Sequence, residues 1–454
     1  IDDFKWRLTP SLTADLTLNT DFGEVEVDAQ QANFTSPRDQ LFFPEKREFF
    51  LEGAGFFDFS ARLNENRFTT TFQNFFSRRI GLSEDNQRIP ILGGAKLTGR
   101  VGSFSIGALN MQTGEEGDLG GDNYSVLRVR QDLFSRSSVG GIFTNRSGNG
   151  TYNRTAGVDT RLILLNNLAL EGFFIRSATF GVEGEEEAYH AKAYWRTDLW
   201  DLGAGHLTLE PDFNAEMGFA GRFNTRKSIA DIAFKPRPNI SWLRQIQLRA
   251  FYEYFTTADN VVAQKVGHFP FVFEFENGDS FRVAPHTRFD RLTRPLHLAP
   301  GVVIPPGDYD GVSWSFTYTV NPSRPLAGMV RYAYQGDYFG GTRAYWLFRP
   351  QWKPTPALIV DLDYDFEDIQ LPQGQFYSHI VNLGINYSLS TRLSTTTVLQ
   401  YNSLEQIKGI HFRLNYIYRP GDDLFIVYRD VRNQLNPEFS DRAILVKFTR
   451  SFDF

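Results

Sequence analysis

Leu358-Ile359-Val360-Asp361-Leu362-Asp363-Tyr364-Asp365-Phe366-Glu367 is a strict two-residue alternation. Successive side chains of a β-strand point to opposite faces, so Leu358, Val360, Leu362, Tyr364 and Phe366 share one side and Asp361, Asp363, Asp365 and Glu367 the other. A helix would spread these carboxylates around its circumference, so the stretch reads as strand. One of its faces asks for an apolar environment and the other for water. The same period recurs in residues 245–254, where Ile246, Leu248, Ala250, Tyr252 and Tyr254 oppose Gln245, Gln247, Arg249 and Glu253, with Phe251 on the polar side. In residues 410–418, Ile410, Phe412, Leu414, Tyr416 and Tyr418 oppose His411, Arg413 and Asn415, and in residues 189–199 the polar face is His190, Lys192, Tyr194, Arg196 and Asp198. About two dozen segments of roughly ten residues, parted by Gly, Pro, Asn or Asp clusters, keep this rhythm.

Composition says which membrane architecture could use such strands. The 454-residue chain is 41% hydrophobic, but it has no run of about 18 apolar residues, which excludes a transmembrane helix. Aromatics reach 15%, with 43 Phe and 19 Tyr, a level that suits a lipid-facing surface with aromatic girdles. With no cysteine, disulfides and thiolate metal sites are ruled out. A formal charge of −6 gives no reason to expect nucleic acid. Ile1-Asp2-Asp3 begins almost directly in a strand without a signal peptide, so a processed or partial product is expected.

The links between segments alternate in length, which orients the strands. Val101-Gly102-Ser103, Leu165-Asn166-Asn167, Asn277-Gly278-Asp279, Leu389-Ser390-Thr391 and Arg419-Pro420-Gly421-Asp422 are short, while residues 114–123, 180–187, 292–310 and 367–375 read as long loops. In outer-membrane barrels the short turns are periplasmic and the long loops extracellular. The expected fold is all-β, a transmembrane antiparallel β-barrel of about 24 strands, about 23 of them visible here. Closed bacterial barrels normally have an even number, so either one strand precedes Ile1 or one is miscounted. The expected division is residues 1–20 as the first two strands, 21–88 as an inserted segment and 89–454 as the rest of the barrel.

The insert contains Phe42-Phe43-Pro44-Glu45-Lys46-Arg47-Glu48-Phe49-Phe50-Leu51-Glu52-Gly53 and Phe75-Phe76-Ser77-Arg78-Arg79-Ile80-Gly81. A link this long has a function or is disordered, and paired aromatics argue against disorder. A barrel of about 24 strands has a lumen too wide for its own side chains to fill. The segment is therefore expected to fold inward as a plug, with Lys46, Arg47, Arg78 and Arg79 paired to acids of the wall. The alternative is an extracellular cap with a small core of its own.

Inward-facing Arg128, Arg130, Arg161, Lys192, Arg196, Arg249 and Arg413, together with Glu253 and the acidic row Asp361, Asp363, Asp365 and Glu367, give a lumen of both signs. Such ladders set a transverse field that favours small polar solutes, or pair across the wall and stiffen it. Acids two apart on a strand, at about 6.5–7 Å, would also fit paired carboxylates for glycoside cleavage, as any polar wall would. The seven histidines show neither metal-ligand nor helical spacing. The acidic loops 114–122 and 181–187 lack EF-hand spacing for Ca²⁺ and read as solvated. Neither a cofactor nor a metal is implied.

The tail Lys447-Phe448-Thr449-Arg450-Ser451-Phe452-Asp453-Phe454 resembles the C-terminal signal for insertion of bacterial outer-membrane barrels, carried by Phe448, Phe452 and Phe454. Leu16-Thr17-Leu18-Asn19-Thr20-Asp21-Phe22-Gly23-Glu24-Val25-Glu26, followed by the run from Phe42 to Gly53, resembles the C-terminal domain of a large Gram-negative family. In that family an uncharacterised outer-membrane barrel follows a domain similar to family 9 carbohydrate-binding modules. The resemblance implies an outer-membrane location in a Gram-negative bacterium. Its implied partners are outer-membrane lipid and lipopolysaccharide, the barrel-assembly machinery, and either an N-terminal carbohydrate-binding-like domain or a separate periplasmic or surface protein. It implies no established activity. Three roles stay open: a plugged or gated channel or transporter for a polar solute such as a glycan fragment or peptide, a non-conducting anchor for periplasmic or surface partners, and a barrel hydrolase.

Overall fold

The computed structural model describes residues 2–19, 28–61, 72–83, 89–115, 120–419, 422–435, 437 and 440–449. Alternating polarity produces strands almost throughout, and they form one antiparallel sheet of 24 strands. Among the described residues no helix is long and apolar enough to cross a membrane. The chain packs as two compact units.

The first unit comprises Ile1–Phe22, Arg38–Ile232 and Glu253–Ala263. Its ladder starts with Asp2–Thr9 on Leu12–Leu18 and runs from Ile91–Val101 through successive hairpins to Trp200–Leu209. Leu12–Leu18 pairs directly with Ile91–Val101, Leu12 opposite Gly99 and Leu18 opposite Gly93. The chain between them is thereby excluded from the ladder, and its described part in this unit lies across one face of the sheet. It forms a one-turn helix Glu48–Leu51, 3₁₀ turns Ala54–Phe57 and Ser77–Arg79, and a small sheet of Ser60–Ala61, Phe72–Gln73 and Phe219–Ala220. Aromatic contacts hold it there: Phe59 and Phe72 lie 5.1 and 5.4 Å from Phe173, and Phe42 lies 5.0 Å from Phe219.

The second unit comprises Gly23–Pro37, Ala233–Tyr252 and Gln264–Phe454. Its ladder runs from Ser280–Leu292 and Gly307–Val320 through successive hairpins to Asp441–Thr449. Val262–His268 and Phe271–Phe275 both pair with Ser280–Leu292, in a register that continues without a slip from His268 opposite His286 to Phe271 opposite Val283. They are two halves of one crossing, interrupted where Pro270 has no N–H for the ladder. For this reason 24 strands show as about 23 alternating segments.

Two links expected to be long loops are otherwise. Residues 367–375 continue strand Leu358–Leu371, which turns through Pro372-Gln373 into Gly374–Ser388. Past Phe366 the two faces exchange character: Asp368 and Gln370 follow the apolar side, while Ile369, fully buried, follows the acidic side because other parts of the chain cover it. Residues 292–310 contain a hairpin, Leu296–Ala299 with Val302–Ile304, and the next strand resumes at Gly307.

The two faces invert the usual order of a water-soluble protein. Aromatic side chains line up in register: exposed Phe316 is opposite half-buried Tyr332, and Tyr332 opposite exposed Trp346, while neighbouring Trp314 keeps 48% of its surface exposed. On the other face charged residues such as Lys96, Arg128, Glu253, Arg343 and Glu367 are buried. Glycine admits one close approach: a Cβ on Gly94 would collide with the Asn110 carbonyl and Met111, whereas one on Gly55 meets nothing. Gly94→Ala is expected to cost about 1–3 kcal/mol, read from the urea midpoint, with Gly55→Ala near wild type as the control.

Candidate functional site

The covered face is where charge, burial and the excluded segment meet. In the second unit residues 28–36 cross it without regular secondary structure, and several of their main-chain groups are met by side chains of the sheet. Asn382 binds Gln30 twice, its Oδ1 accepting the Gln30 N–H at 2.9 Å and its Nδ2 donating to the Gln30 carbonyl at 3.2 Å. Gln400 Nε2 donates to the Asp28 carbonyl at 2.7 Å. Further along, Phe34 fills an apolar socket of Leu292, Ile304, Tyr338, Phe339 and Ile369, and the Tyr338 hydroxyl donates to its carbonyl at 2.7 Å. Arg343 grips Glu367 with two bonds of 2.6 and 2.7 Å and donates to Thr35 Oγ1 at 3.0 Å, while Arg288 donates to the Thr35 carbonyl.

In the first unit the same logic uses different residues. The one-turn helix Glu48–Leu51 leaves carbonyls without intrahelical partners. Lys96, its side chain 1% exposed, supplies them: Nζ donates to Phe49 O at 2.5 Å and Glu52 O at 2.9 Å, with Asp15 at 3.4 Å. Arg128 forks onto Asp159 at 2.6 and 2.7 Å, donates through Nε to the Asp58 carbonyl at 3.2 Å and lies over the Phe59 ring. Asn74 donates to Thr155 at 2.9 Å, and ion pairs join Lys5 to Glu52 and Arg222 to Asp39.

The insert's own arginines reach both side-chain and main-chain acceptors. Arg47 pairs with Glu45 of the same segment, at 2.8 and 2.7 Å, and donates to the carbonyls of Ile80 and Ser77. Arg78 reaches the Pro44 carbonyl at 3.2 Å and lies near the Phe43 ring, while Arg79 reaches the Gly218 carbonyl at 3.1 Å. Lys46 donates its backbone N–H to Glu45, and Glu48 opens the short helix. Phe49 stacks edge-on to Phe50, which lies under Arg47. A folded segment presents many unpaired carbonyls, and cations of both the sheet and the insert meet such acceptors. Burial would push the Glu45 carboxyl up, but the Arg47 fork, the Arg47 amide and the Ser77 hydroxyl outweigh it and hold the group below its usual range.

The other residues singled out from sequence pair mainly along the wall. Asp361 accepts from Gln351 at 2.6 Å, Asp363 from Arg349 at 2.8 Å, and Glu253 binds Lys227 at 2.6 Å, while Asp365 follows on the same alternation. Arg161 meets Glu171 at 3.3 Å, Arg196 meets Asp201 at 3.7 Å, and Arg130 lies 3.9 Å from Asp132. Lys192 lies 5.5 Å from the Tyr194 ring, and Arg249 and Arg413 share the alternation of buried Phe251 and His411. Phe448 is exposed opposite Leu424, while Phe452 and Phe454 lie outside the described residues. Among the described residues no three His, Cys, Asp or Glu gather as metal ligands. In the loop 114–122, Asp122 accepts from Arg146 at 2.8 Å.

Sequence reasoning missed Phe34, Thr35, Lys96 and Arg343. Lys96 was legible in principle, because it shares the period of the small polar face of Ile91–Val101. Phe34 gave no periodic signal. The histidines also meet partners from distant positions: His206 bonds Ser228 at 2.8 Å and Thr208 at 3.0 Å, His268 bonds His286 at 2.9 Å, and His379 bonds Tyr364 at 2.9 Å.

With this geometry in place, the likeness to known proteins is brief. Residues 2–117 match a domain of unknown function (DUF5916). The match spans about a quarter of the chain and ties its first strands and the excluded segment to an uncharacterised domain family. No curated protein matches the sequence.

Two tests follow from the clamps. Phe34→Ala is expected to cost about 3–5 kcal/mol, measured by urea unfolding, and to open residues 28–37 to protease. Glu45 has a depressed folded pKa, so its contribution is complete above its ordinary 4.5 and is lost as pH falls through the lower folded value. Limited proteolysis within residues 42–58 should therefore rise on acidification, whereas Glu45→Gln is already nicked near neutrality and changes far less with pH.

Proposed function

We propose that this chain is an outer-membrane β-barrel in a closed state, a gated channel or transporter for a polar solute such as a glycan fragment or peptide. The observation that carries this reading is the pairing of an exposed apolar face with a buried charged face covered by the excluded segment. A barrel in lipid needs the first, with its aromatic rows at the interfaces, and a hydrated lumen needs the second. Short links such as Gly102-Ser103 and Pro356-Ala357 fit the periplasmic end and the long excursion after Leu18 the outer one, where Pro372-Gln373 is a tight turn. Sheet closure is part of the proposal, since it removes the free edges that lipid would leave unpaired.

Gating is favoured over permanent filling by the kind of contact the segment makes. In the second unit the hydrogen bonds to residues 28–36 come largely from side-chain amides and guanidinium groups, which water or a polar solute can replace one at a time, around the single apolar anchor Phe34. The anchor reading draws on a different observation, the cross-strand pairs Arg128–Asp159 and Arg343–Glu367, which brace the wall itself.

Single-channel conductance in a planar bilayer separates the two. Leu18 and Gly93 are already ladder partners, so a chain lacking residues 21–88 keeps a hairpin-length link. A wild type that is closed most of the time and a deletion variant with large, steady conductance are expected. Folded but silent forms of both would replace transport with the anchoring role.

A further inference from the structure

On the exposed face of the first unit a serine and a histidine stand within hydrogen-bond distance of one another. Trp200–Leu209 buries Leu207 and Leu209, which turns His206 and Thr208 to the other side. Thr225–Phe234 buries Lys227 and Ile229, which turns Ser228 to that same side beside Ile232, 45% exposed. His206 and Ser228 are each half-buried, near the ends of their strands that meet the long link 210–224.

The polar contacts define one direction of proton flow. His206 Nδ1 lies 2.8 Å from Ser228 Oγ, and Nε2 lies 3.0 Å from Thr208 Oγ1. With the Nε2 proton donated to Thr208, Nδ1 carries the lone pair and accepts from Ser228, an assignment made from the network. Thr208 is fully buried, so the imidazole is held in that orientation. Arg226 precedes Ser228 by two residues on the same face, with terminal nitrogens on Glu210 at 3.2 Å and Asn260 at 3.1 Å. Its Nε is buried with no hydrogen-bond partner. A buried donor left unpaired is costly, and this one belongs to a residue two positions from Ser228 on the same strand face.

We propose that Ser228, His206 and Arg226, positioned by Thr208, form an esterase site for acyl esters of membrane lipids. The lipid source rests on the membrane reading above, but the chemistry does not. Ser228 Oγ forms a bond to the ester carbonyl carbon as its proton passes to His206 Nδ1, and the carbonyl electron pair moves to the oxygen facing Arg226 Nε–H. Collapse breaks the carbon–alkoxy bond, and His206 returns the proton to the departing alcohol. Water, with His206 again as base, then cleaves the acyl-serine to free fatty acid and Ser228. A neutral Thr in place of a carboxylate orients the ring without stabilising imidazolium as strongly, so turnover is slower than with a charged third member.

The test uses the full chain in detergent micelles with three probes: a fluorophosphonate, p-nitrophenyl butyrate, and dioleoylphosphatidylcholine in mixed micelles. Covalent labelling mapped to Ser228, hydrolysis of both esters, and losses of at least about 100-fold in Ser228→Ala and His206→Gln are expected. Thr208→Ser should retain the rate that Thr208→Val loses, a rescue that a merely structural threonine would not give. Circular dichroism and heat-modifiable migration on gels confirm folding of each variant. A folded wild type that is unlabelled at Ser228, or full activity in Ser228→Ala, overturns the site. Hydrolysis of the soluble ester with phospholipid untouched overturns the lipid assignment alone.

Discussion

Removing a charged side chain from water requires partners in its place, and that requirement organises the covered face of this sheet. Lys96, Arg128 and Arg343 each have less than a tenth of their surface exposed, and each takes acceptors from the segment that leaves the ladder after Leu18. The same need explains the segment's local form. A helix of a single turn at Glu48–Leu51 is a poor helix but a good source of unpaired carbonyls, which one ammonium collects. Glu45 and Arg47 tie two stretches of the insert to one another, and Phe34 gives the other stretch an apolar anchor. Without the insert these cations would need water, which fits a face that opens onto a hydrated space.

The opposite face has the complementary problem. Trp314, Phe316, Val330 and Trp346 are exposed side by side in register, and an apolar surface this continuous in water would recruit other copies of the chain. In the proposed membrane setting, lipid would resolve that cost. A polar trio such as His206, Ser228 and Thr208 is costly on such a face, and chemistry at the interface is one reason to keep it.

The fold was largely legible because a period of two needs only local sequence. From Leu358 to Phe366 the alternation translates directly into faces, as the pairing of Asp363 with Arg349 and the Phe366 to Tyr377 contact show. It failed beyond Phe366, where the cover provided by Phe34 and its neighbours makes Ile369 the buried residue and the pattern inverts. A partner more than 300 residues away in sequence, such as Phe34 for Tyr338, cannot be read from either strand. The histidines looked scattered because their partners come from neighbouring strands, as with His206 and Ser228, a cross-strand relation that needs the register.

The chain contains no cysteine, so single cysteines can be introduced without background. The most direct test places spin labels one at a time along residues 312–319 in lipid bilayers and measures accessibility to oxygen and to a water-soluble nickel chelate. A period of two is expected, with Val312, Trp314, Phe316 and Tyr318 open to oxygen and closed to nickel, and the alternate positions shielded from oxygen. Equal access of the nickel reagent to both sets would contradict a sheet with one face in lipid and the other covered.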